Sequence, residues 1–537
     1  MHRCLEISDL ICLILEWLEF NRSALLNVAL TSKAFLEPAL SVLWRHKPMH
    51  WADDLFRVVP NDIWVDQPEF PEEQRILELR RPLHPKDLDR YRFYKTKIKH
   101  LNCTNVDSMG TATRNWYAML RRAFDAYYPG ESYLPEPTFL RLGMSDEQAW
   151  YLYDLISQKL RLLTIVPNPC HISLLAMIST LPTKAPMLKH LHIVDVRNEE
   201  IFSVLLQSLP ALKSLQSFHC KSWSNATITN ELANALALLP HLSRLYCHPP
   251  SLSRPQHLSC NLFPSLRYVN LTVHQISSVA RFFQMYMTTC PVQEFKAVIM
   301  HGDPERLPSD GLSNTLHNLA GGFYTHSLTS FTLTFIGPFS TTSAVAPPLG
   351  LRDFQPILSC GRLEVFSLRL NHSMSDFDDA ASAAMASAWP RLRGLVVTSF
   401  PKGHPPTMCT LRTLSYLARG CPDLEAVTIT FSPSTAPYHI QSADGNAVHL
   451  NLTLLNISDS LLPWDSATGV ASFLSNLFPQ IKHINIPRGE TENATNEELT
   501  SWAAWEAVAR LYDINCNAGS GTIRRKSAYC DSQGHYG

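Results

Sequence analysis

The sequence predicts an α/β chain. A short all-α segment opens it. An irregular solenoid follows, with a parallel sheet on its concave side and helices on its convex side. Three observations predict this. Residues 8–46 carry three closely spaced helical patterns. A phrase of the form Pro-x-Leu-x-x-Leu-x-Leu recurs through the rest of the 537 residues, about every 24–30 residues between its strong copies. A helix-period apolar stripe precedes most copies, and a chain this long exceeds one ordinary core.

The N-terminal segment comes first. Leu10, Leu13, Ile14, Trp17 and Leu18 fall at i, i+3, i+4, i+7 and i+8, one face of a helix. Ser8 is placed to cap it, and Asp9 favours its positive end. Asn21-Arg22-Ser23 breaks the pattern. Leu25, Val28 and Ala29 form a second stripe, with Leu26 and Leu30 beside it. Thr31-Ser32 interrupts again, and Pro38 fits the first turn of a last helix through Leu40, Leu43 and Trp44. Three helices in so short a span lie at the lower size limit for independent folding. The segment should therefore expose apolar surface that a partner covers.

These residues resemble the F-box. The family's acidic-apolar opening appears as Ile7-Ser8-Asp9-Leu10, and its first helix as Leu13-Ile14-Leu15-Glu16-Trp17-Leu18. Its middle appears as Leu25-Leu26-Asn27-Val28-Ala29-Leu30-Thr31-Ser32-Lys33, and its closing Leu-Trp-Arg as Leu43-Trp44-Arg45. Ile7-Ser8 replaces the usual Leu-Pro. The resemblance covers residues 1–46. It implies docking onto a Skp-type adaptor and, through it, onto a cullin. Leu10, Ile14, Trp17, Leu18, Leu26, Phe35, Leu40, Leu43 and Trp44 would form the docking face or the segment's own core, and the sequence does not separate the two.

Residues 47–95 connect the segment to the body. "PNDIWVDQPEFPEE" reads as a loop, and "PKDLDRYRFYKTKIKHL" as a polar helix that feeds the first strand. The body, 96–490, repeats "APMLKHLHI" (185–193), "LPALKSLQS" (209–217), "LPHLSRLYC" (239–247), "FPSLRYVNL" (263–271), "WPRLRGLVV" (389–397), "CPDLEAVTI" (421–429) and "FPQIKHINI" (478–486). Apolar residues at 0, +3 and +5 enter a strand and point inward, and alternation turns the residues between them outward. The preceding helix must stop before the proline. Each unit thus reads helix, turn, strand. This phrase is similar to that of leucine-rich-repeat proteins, fungal F-box members among them, without a regular Asn after the strand. Cys290, Cys360 and Cys421 share the turn position and read as small buried packing residues.

Three Pro/Ser-rich insertions, 337–350, 401–408 and 432–446, read as loops. Residues 491–516 hold an amphipathic capping helix, with Leu499, Trp502, Trp505, Val508 and Leu511 as its stripe, and 517–537 form a polar tail.

Composition narrows the function. Lys and Arg number 46 against 47 Asp and Glu, so no global charge favours nucleic acid or an anionic membrane. No apolar run approaches the ~20 residues of a membrane span. The 13 Cys include no CxxC pair, which argues against a disulfide framework or zinc module. The apolar run Leu10–Leu18 has Glu6, Asp9 and Glu16 in or beside it and no basic region of note before it, so it does not read as a signal peptide, and the chain is expected in the cytoplasm, the nucleus or both. The phosphate-loop, dinucleotide, nucleophile-elbow and zinc-protease motifs are absent. His190 and His192 share a strand face without a third ligand nearby, and Asp376, Asp378 and Asp379 read as helix-start charges. No cofactor, metal or catalysis is expected.

A binding surface can be deduced. The outward column reads His192, Gln216, Tyr246, Asn270, Thr332, Ser367, Val396, Thr428 and Asn485, with Arg244, His248, Tyr268 and Arg369 beside it. His192, Tyr246, Tyr268, Asn270, Arg244 and Arg369 are the expected contacts to an unidentified protein substrate. The reading is a substrate-recognition subunit of an SCF-type (Skp–cullin–F-box) ubiquitin ligase. The alternative is a non-ligase leucine-rich-repeat scaffold. An enzyme built across the repeats would instead need a deep pocket of convergent groups with shifted pKa values.

Overall fold

A computed structural model describes residues 7–47, 55, 57–65, 78–103, 111–144, 153–167, 172–194, 200–221, 227–250, 262–287, 290–300, 316–317, 326–336, 348–370, 373–399, 407–431, 448–486 and 495–517. The bulk of the three insertions (337–347, 401–406 and 432–446) and residues 518–537 of the tail lie outside them. The chain divides into two compact units, Met1–Thr272 with Met285–Pro291, and Val273–Gln284 with Val292–Gly537.

The first unit opens with α1 (Ser8–Glu16), α2 (Arg22–Thr31) and α3 (Lys33–Arg45). Ile11, Leu15, Leu25, Ala29, Ala39 and Val42 form their core. This corrects the expected face of α1. The stripe Leu10, Leu13, Ile14 and Trp17 is exposed, and Ile11 and Leu15, one turn apart, are buried. The helix is apolar nearly all round, so periodicity alone could not choose between its faces. Its cap also differs from expectation. Ile7 holds the N-cap position without a side-chain bond, and Ser8 is already helical. The side chains of Asn21 and Ser32 do cap α2 and α3, accepting from the backbone N–H of Ala24 at 3.0 Å and Ala34 at 3.2 Å. Because Ser32 starts α3 early, Pro38 lies inside the helix rather than in its first turn.

Pro60–Val65, expected as loop, forms a short 3-10 turn and strand β2 (Trp64–Val65), which pairs antiparallel with β3 (Glu78–Leu79). Helix α4 (Pro85–Lys97) follows, started by a capping box in which Asp87 accepts from the His84 N–H at 2.8 Å. Trp44 stacks on Tyr94 of α4, ring centroids 4.4 Å apart.

The sheet of the first unit runs β1 (His46–Lys47), β4 (His100–Cys103), β5 (Phe139–Met144), β6 (Leu162–Pro167), β7 (His190–Val194), β8 (Ser217–Lys221), β9 (Arg244–Cys247) and β10 (Tyr268–Val273), every neighbouring pair parallel. Alternation explains the layer: Leu191, Ile193, Leu245, Val269 and Leu271 are fully buried, and the residues between them face away from the core. One phrase is out of register with the expectation. A 3-10 turn at Leu209–Ala211 delays β8, so Leu215, Phe218 and Cys220 point inward and Phe218 pairs between Leu191 and Leu245. Gln216 therefore leaves the outward column and His219 takes its place.

The second unit has the same build. Strands β11 (Glu294–Met300), β12 (Ser330–Ile336), β13 (Val365–Leu370), β14 (Gly394–Ser399), β15 (Ala426–Ile429), β16 (Leu454–Asn456) and β17 (His483–Asn485) are parallel in sequence order. Phe295, Phe331 and Phe366 stack in a buried ladder at 5.6 and 5.7 Å. Asp378 caps the helix Asp379–Ala388, accepting from the Ala381 N–H at 2.8 Å. The carboxylate of Asp379 accepts from Thr410 N–H and from the hydroxyls of Thr410 and Thr413 at 2.7–2.8 Å. Cys360 and Cys421 are fully buried and Cys290 of the first unit nearly so; burial pushes these thiols up to about 11, 12 and 12.

The last helix, Asn496–Asn517, covers the final repeat, but on a face shifted from the expected one. Ser501, Ala504, Trp505, Val508 and Tyr512 are buried, and Leu499 is exposed. Polar bonds set this face. Trp505 Nε1 donates to Ser460 O at 2.9 Å, and the Tyr512 hydroxyl donates to Phe478 O at 2.5 Å while accepting from Ile481 N–H at 2.9 Å. Among the described residues, no helix is long and apolar enough to cross a membrane.

Candidate interaction surfaces

The three-helix segment sorts the nine expected docking residues. Leu10, Ile14, Trp17 and Leu26 are exposed, Trp17 by 89%. Leu18, Phe35 and Leu43 pack against the helical core, and Leu40 is half-buried. Trp44 is buried and its ring lies against that of Tyr94. Five outward residues were missing from the expected set: Ile7, Leu13, Phe20, Leu30 and Leu36. Phe20 and Leu30 are the most open, at 98% and 83%. The signal for Leu30 was present, because it follows Leu26 by four residues on the outward side of α2. Leu10, Leu13, Ile14 and Trp17 repeat along one helical face, which makes that face a candidate interaction surface.

The sheet face turned away from the helices carries the second surface. In the first unit two in-register columns cross it. One runs Asn102, Arg141, Thr164, His192, His219, Tyr246, Asn270. The other runs His100, Phe139, Leu162, His190, Ser217, Arg244, Tyr268. Rings form a continuous ladder along them. His192 meets His219 edge-on at 5.3 Å, His219 lies over Tyr246 at 4.9 Å, and Tyr246 over Tyr268 at 4.9 Å. Such contacts fix ring orientation as well as burying area. Desolvation lowers His192 and His219 to about 4, helped at His192 by His219 and His190 and at His219 by Lys221. Both rings are uncharged at neutral pH.

Five of the six expected substrate residues, His192, Tyr246, Tyr268, Asn270 and Arg244, thus share this face. Arg369 belongs to the second unit, exposed on β13 in register with Thr334 and Thr398. His248, expected outward, is buried at 4% exposure. His219 is the member that sequence reasoning missed. At the other end of the columns, His100 and Phe139 join Glu19, Phe20, Arg22 and His46 around a pocket of about 520 Å³. Burial, with His46 and Arg45 nearby, lowers His100 to about 4. Among the described residues, no three His, Cys, Asp or Glu side chains are grouped to hold a metal.

No protein-family model matches the chain, and no curated protein matches it. Among solved structures it is similar to a chain of the Rad7–Elc1 complex of yeast, at 16% identity and a TM-score of 0.36, over 67% of this chain and 81% of that one. It is also similar to the leucine-rich-repeat protein LegL7 of Legionella pneumophila, at 12% identity and a TM-score of 0.29, over 70% of this chain and 96% of that one.

Proposed function

We propose that the chain is the substrate-recognition subunit of an SCF-type ubiquitin ligase. The three-helix segment docks a Skp-type adaptor, which links it to a cullin, and the outer sheet face holds a protein substrate. The observation that carries this reading is the outward apolar set on α1 and α2 beside a separate, closed helical core. Leu10, Ile14, Trp17 and Leu26, joined by Leu13, Phe20 and Leu30, are the docking residues. The F-box resemblance of residues 7–45 supplies the identity of the partner.

In this reading the chain does no chemistry and needs no cofactor. It raises the effective concentration of a substrate near a transfer site carried by other subunits. Its compartment is the cytoplasm, the nucleus or both. Co-purification with a Skp-type adaptor tests the proposal. The full chain should capture the adaptor at micromolar concentration, and Trp17→Asp or Leu30→Asp should abolish capture while the fold is kept. A folded full chain that ignores the adaptor at that concentration withdraws the ligase role and leaves the non-ligase scaffold.

A further inference from the structure

The pocket between the three-helix segment and the first strands combines ring walls with unused acceptors. Its volume, about 520 Å³, is in the range of small-ligand sites. Three of its rings touch in sequence: His46 meets His100 edge-on at 3.9 Å, and His100 lies against Phe139 at 5.5 Å. Phe20 adds a fourth, exposed ring. Burial lowers both imidazoles, opposed at His46 by Glu19 and helped there by Arg45, and helped at His100 by His46 and Arg45. Both rings are therefore uncharged at neutral pH. Two lining acceptors have unused capacity. Glu19 binds His46 through Oε1, and its Oε2 makes no bond among the described residues. Asn102 Oδ1 is buried with no hydrogen-bond partner. Arg22 is the one cation among the lining residues with Lys or Arg side chains, and it is exposed. Arg45, next to His46 in the chain, is paired with Glu16.

We infer that this pocket binds a guanidinium group carried on an apolar stem, its plane laid against the rings and its N–H groups donated to Glu19 and Asn102. A guanidinium uses both features of the pocket at once. It is flat and weakly hydrated, it stacks on aromatic faces, and it carries five donors for a carboxylate and an amide oxygen. Uncharged imidazoles suit it, because protonated rings would repel it. An anion would meet the Glu19 carboxylate and find only Arg22, which solvent already reaches. A purely apolar ligand would seal Glu19 and Asn102 Oδ1 away from water without partners, which is costly. The inference goes beyond the proposed function: of the docking residues named there, only Phe20 lines the pocket. The side chain of a bound protein and a free small molecule can both carry such a group.

Isothermal titration calorimetry on the full chain tests this. The probes are n-butylguanidinium, the acetylated and amidated peptide Gly-Gly-Arg-Gly-Gly, and the same peptide with citrulline, whose urea has the shape of guanidinium without its charge. The arginine peptide should bind at least about tenfold tighter than the citrulline peptide, and less so as salt rises from about 50 to about 300 mM. Glu19→Gln should remove that preference. Arg22→Gln, which takes a like charge from the pocket, should tighten the arginine peptide and leave the citrulline peptide unchanged. Phe139→Ala should weaken both peptides. Tighter binding of the arginine peptide than of n-butylguanidinium supports a protein side chain as the natural ligand, and the reverse supports a free small molecule. Equal binding of the arginine and citrulline peptides overturns the inference. So does the absence of binding by n-butylguanidinium and the arginine peptide up to about 10 mM, or an arginine preference that survives Glu19→Gln.

Discussion

Leu15 lies on α1 and Trp17, in helical conformation, caps its C-terminus two residues on, which rotates the two side chains about 200° from each other. They should answer truncation in opposite ways. Leu15 is 4% exposed and belongs to a core with few large side chains, Ile11, Leu25 and Val42 being its main partners. Leu15→Ala removes transfer energy and leaves a cavity, which together cost about 2–5 kcal/mol in packed cores. The helix propensity of Ala returns only a few tenths of a kcal/mol. Trp17, at 89% exposed, has almost no packing to lose, so Trp17→Ala should change stability by less than about 0.5 kcal/mol. Its cost should appear on binding. A Trp that anchors an interface contributes at least about 2 kcal/mol, or roughly thirtyfold in Kd. Hydrogen exchange of the α1–α3 amides in the full chain reads the first effect, and adaptor titration the second. Protection lost on Trp17→Ala to the extent seen for Leu15→Ala would mean that α1 buries the other face, and the docking set would fall with it.

Gly420 ends the helix Arg412–Gly420, and a Cβ there would lie 2.5 Å from Ala386 O and 2.7 Å from its carbonyl carbon. Overpacking of about 1–3 kcal/mol should outweigh the ~1 kcal/mol that Ala gains in a helix, so Gly420→Ala lowers the urea midpoint. Gly361→Ala, whose nearest contact would be 3.7 Å, should be close to neutral. The His192–His219 pair should make stability depend on pH. Both folded pKa values, about 4, lie below the usual 6.5. Stability is therefore full above about pH 6.5 and falls as pH drops toward 4, because the unfolded chain takes up the protons first. The slope is at most about 1.4 kcal/mol per pH unit for each ring, less because solvent reaches both. Urea midpoints from pH 7.5 to 4.5 check it, and the double change His192→Gln/His219→Gln should reduce the slope, leaving the share of His100, which burial also lowers to about 4. Tyr512→Phe strips a buried donor from Phe478 O and a buried acceptor from Ile481 N–H, and should cost about 1–3 kcal/mol in thermal unfolding of the second unit.

Local rhythm carried far in this chain, and it stopped where two readings of the same letters were equally rhythmic. "LPALKSLQSFHC" contains the triad Leu212, Leu215, Ser217 and the overlapping triad Leu215, Phe218, Cys220. Only the second is apolar at all three places, and that test alone would have placed His219 on the outer face. The proline suggested the first, because a 3-10 turn after the helix Glu200–Ser208 uses three residues that no neighbouring phrase needs. In α1 the ambiguity had no local solution. With Leu10, Ile11, Leu13, Ile14 and Leu15 all apolar, what decides burial is the position of α2 and α3, not the spacing within α1. The sequence left Trp44 open between docking and packing for a related reason: its ring partner Tyr94 is fifty residues away, beyond the reach of any periodicity.

These misses share a direction. Each arises where apolar residues exceed what one element can bury, and tertiary contact then chooses which of them stay out. In the three-helix segment that choice leaves Trp17, Phe20 and Leu30 outside although Ile11, Leu15 and Leu25 close a core without them. Polar side chains at those three places would cost the fold little. Nothing in the segment's own stability therefore requires an indole, a phenyl ring and an isobutyl group in water, and in the proposed reading these are the side chains that dock the adaptor.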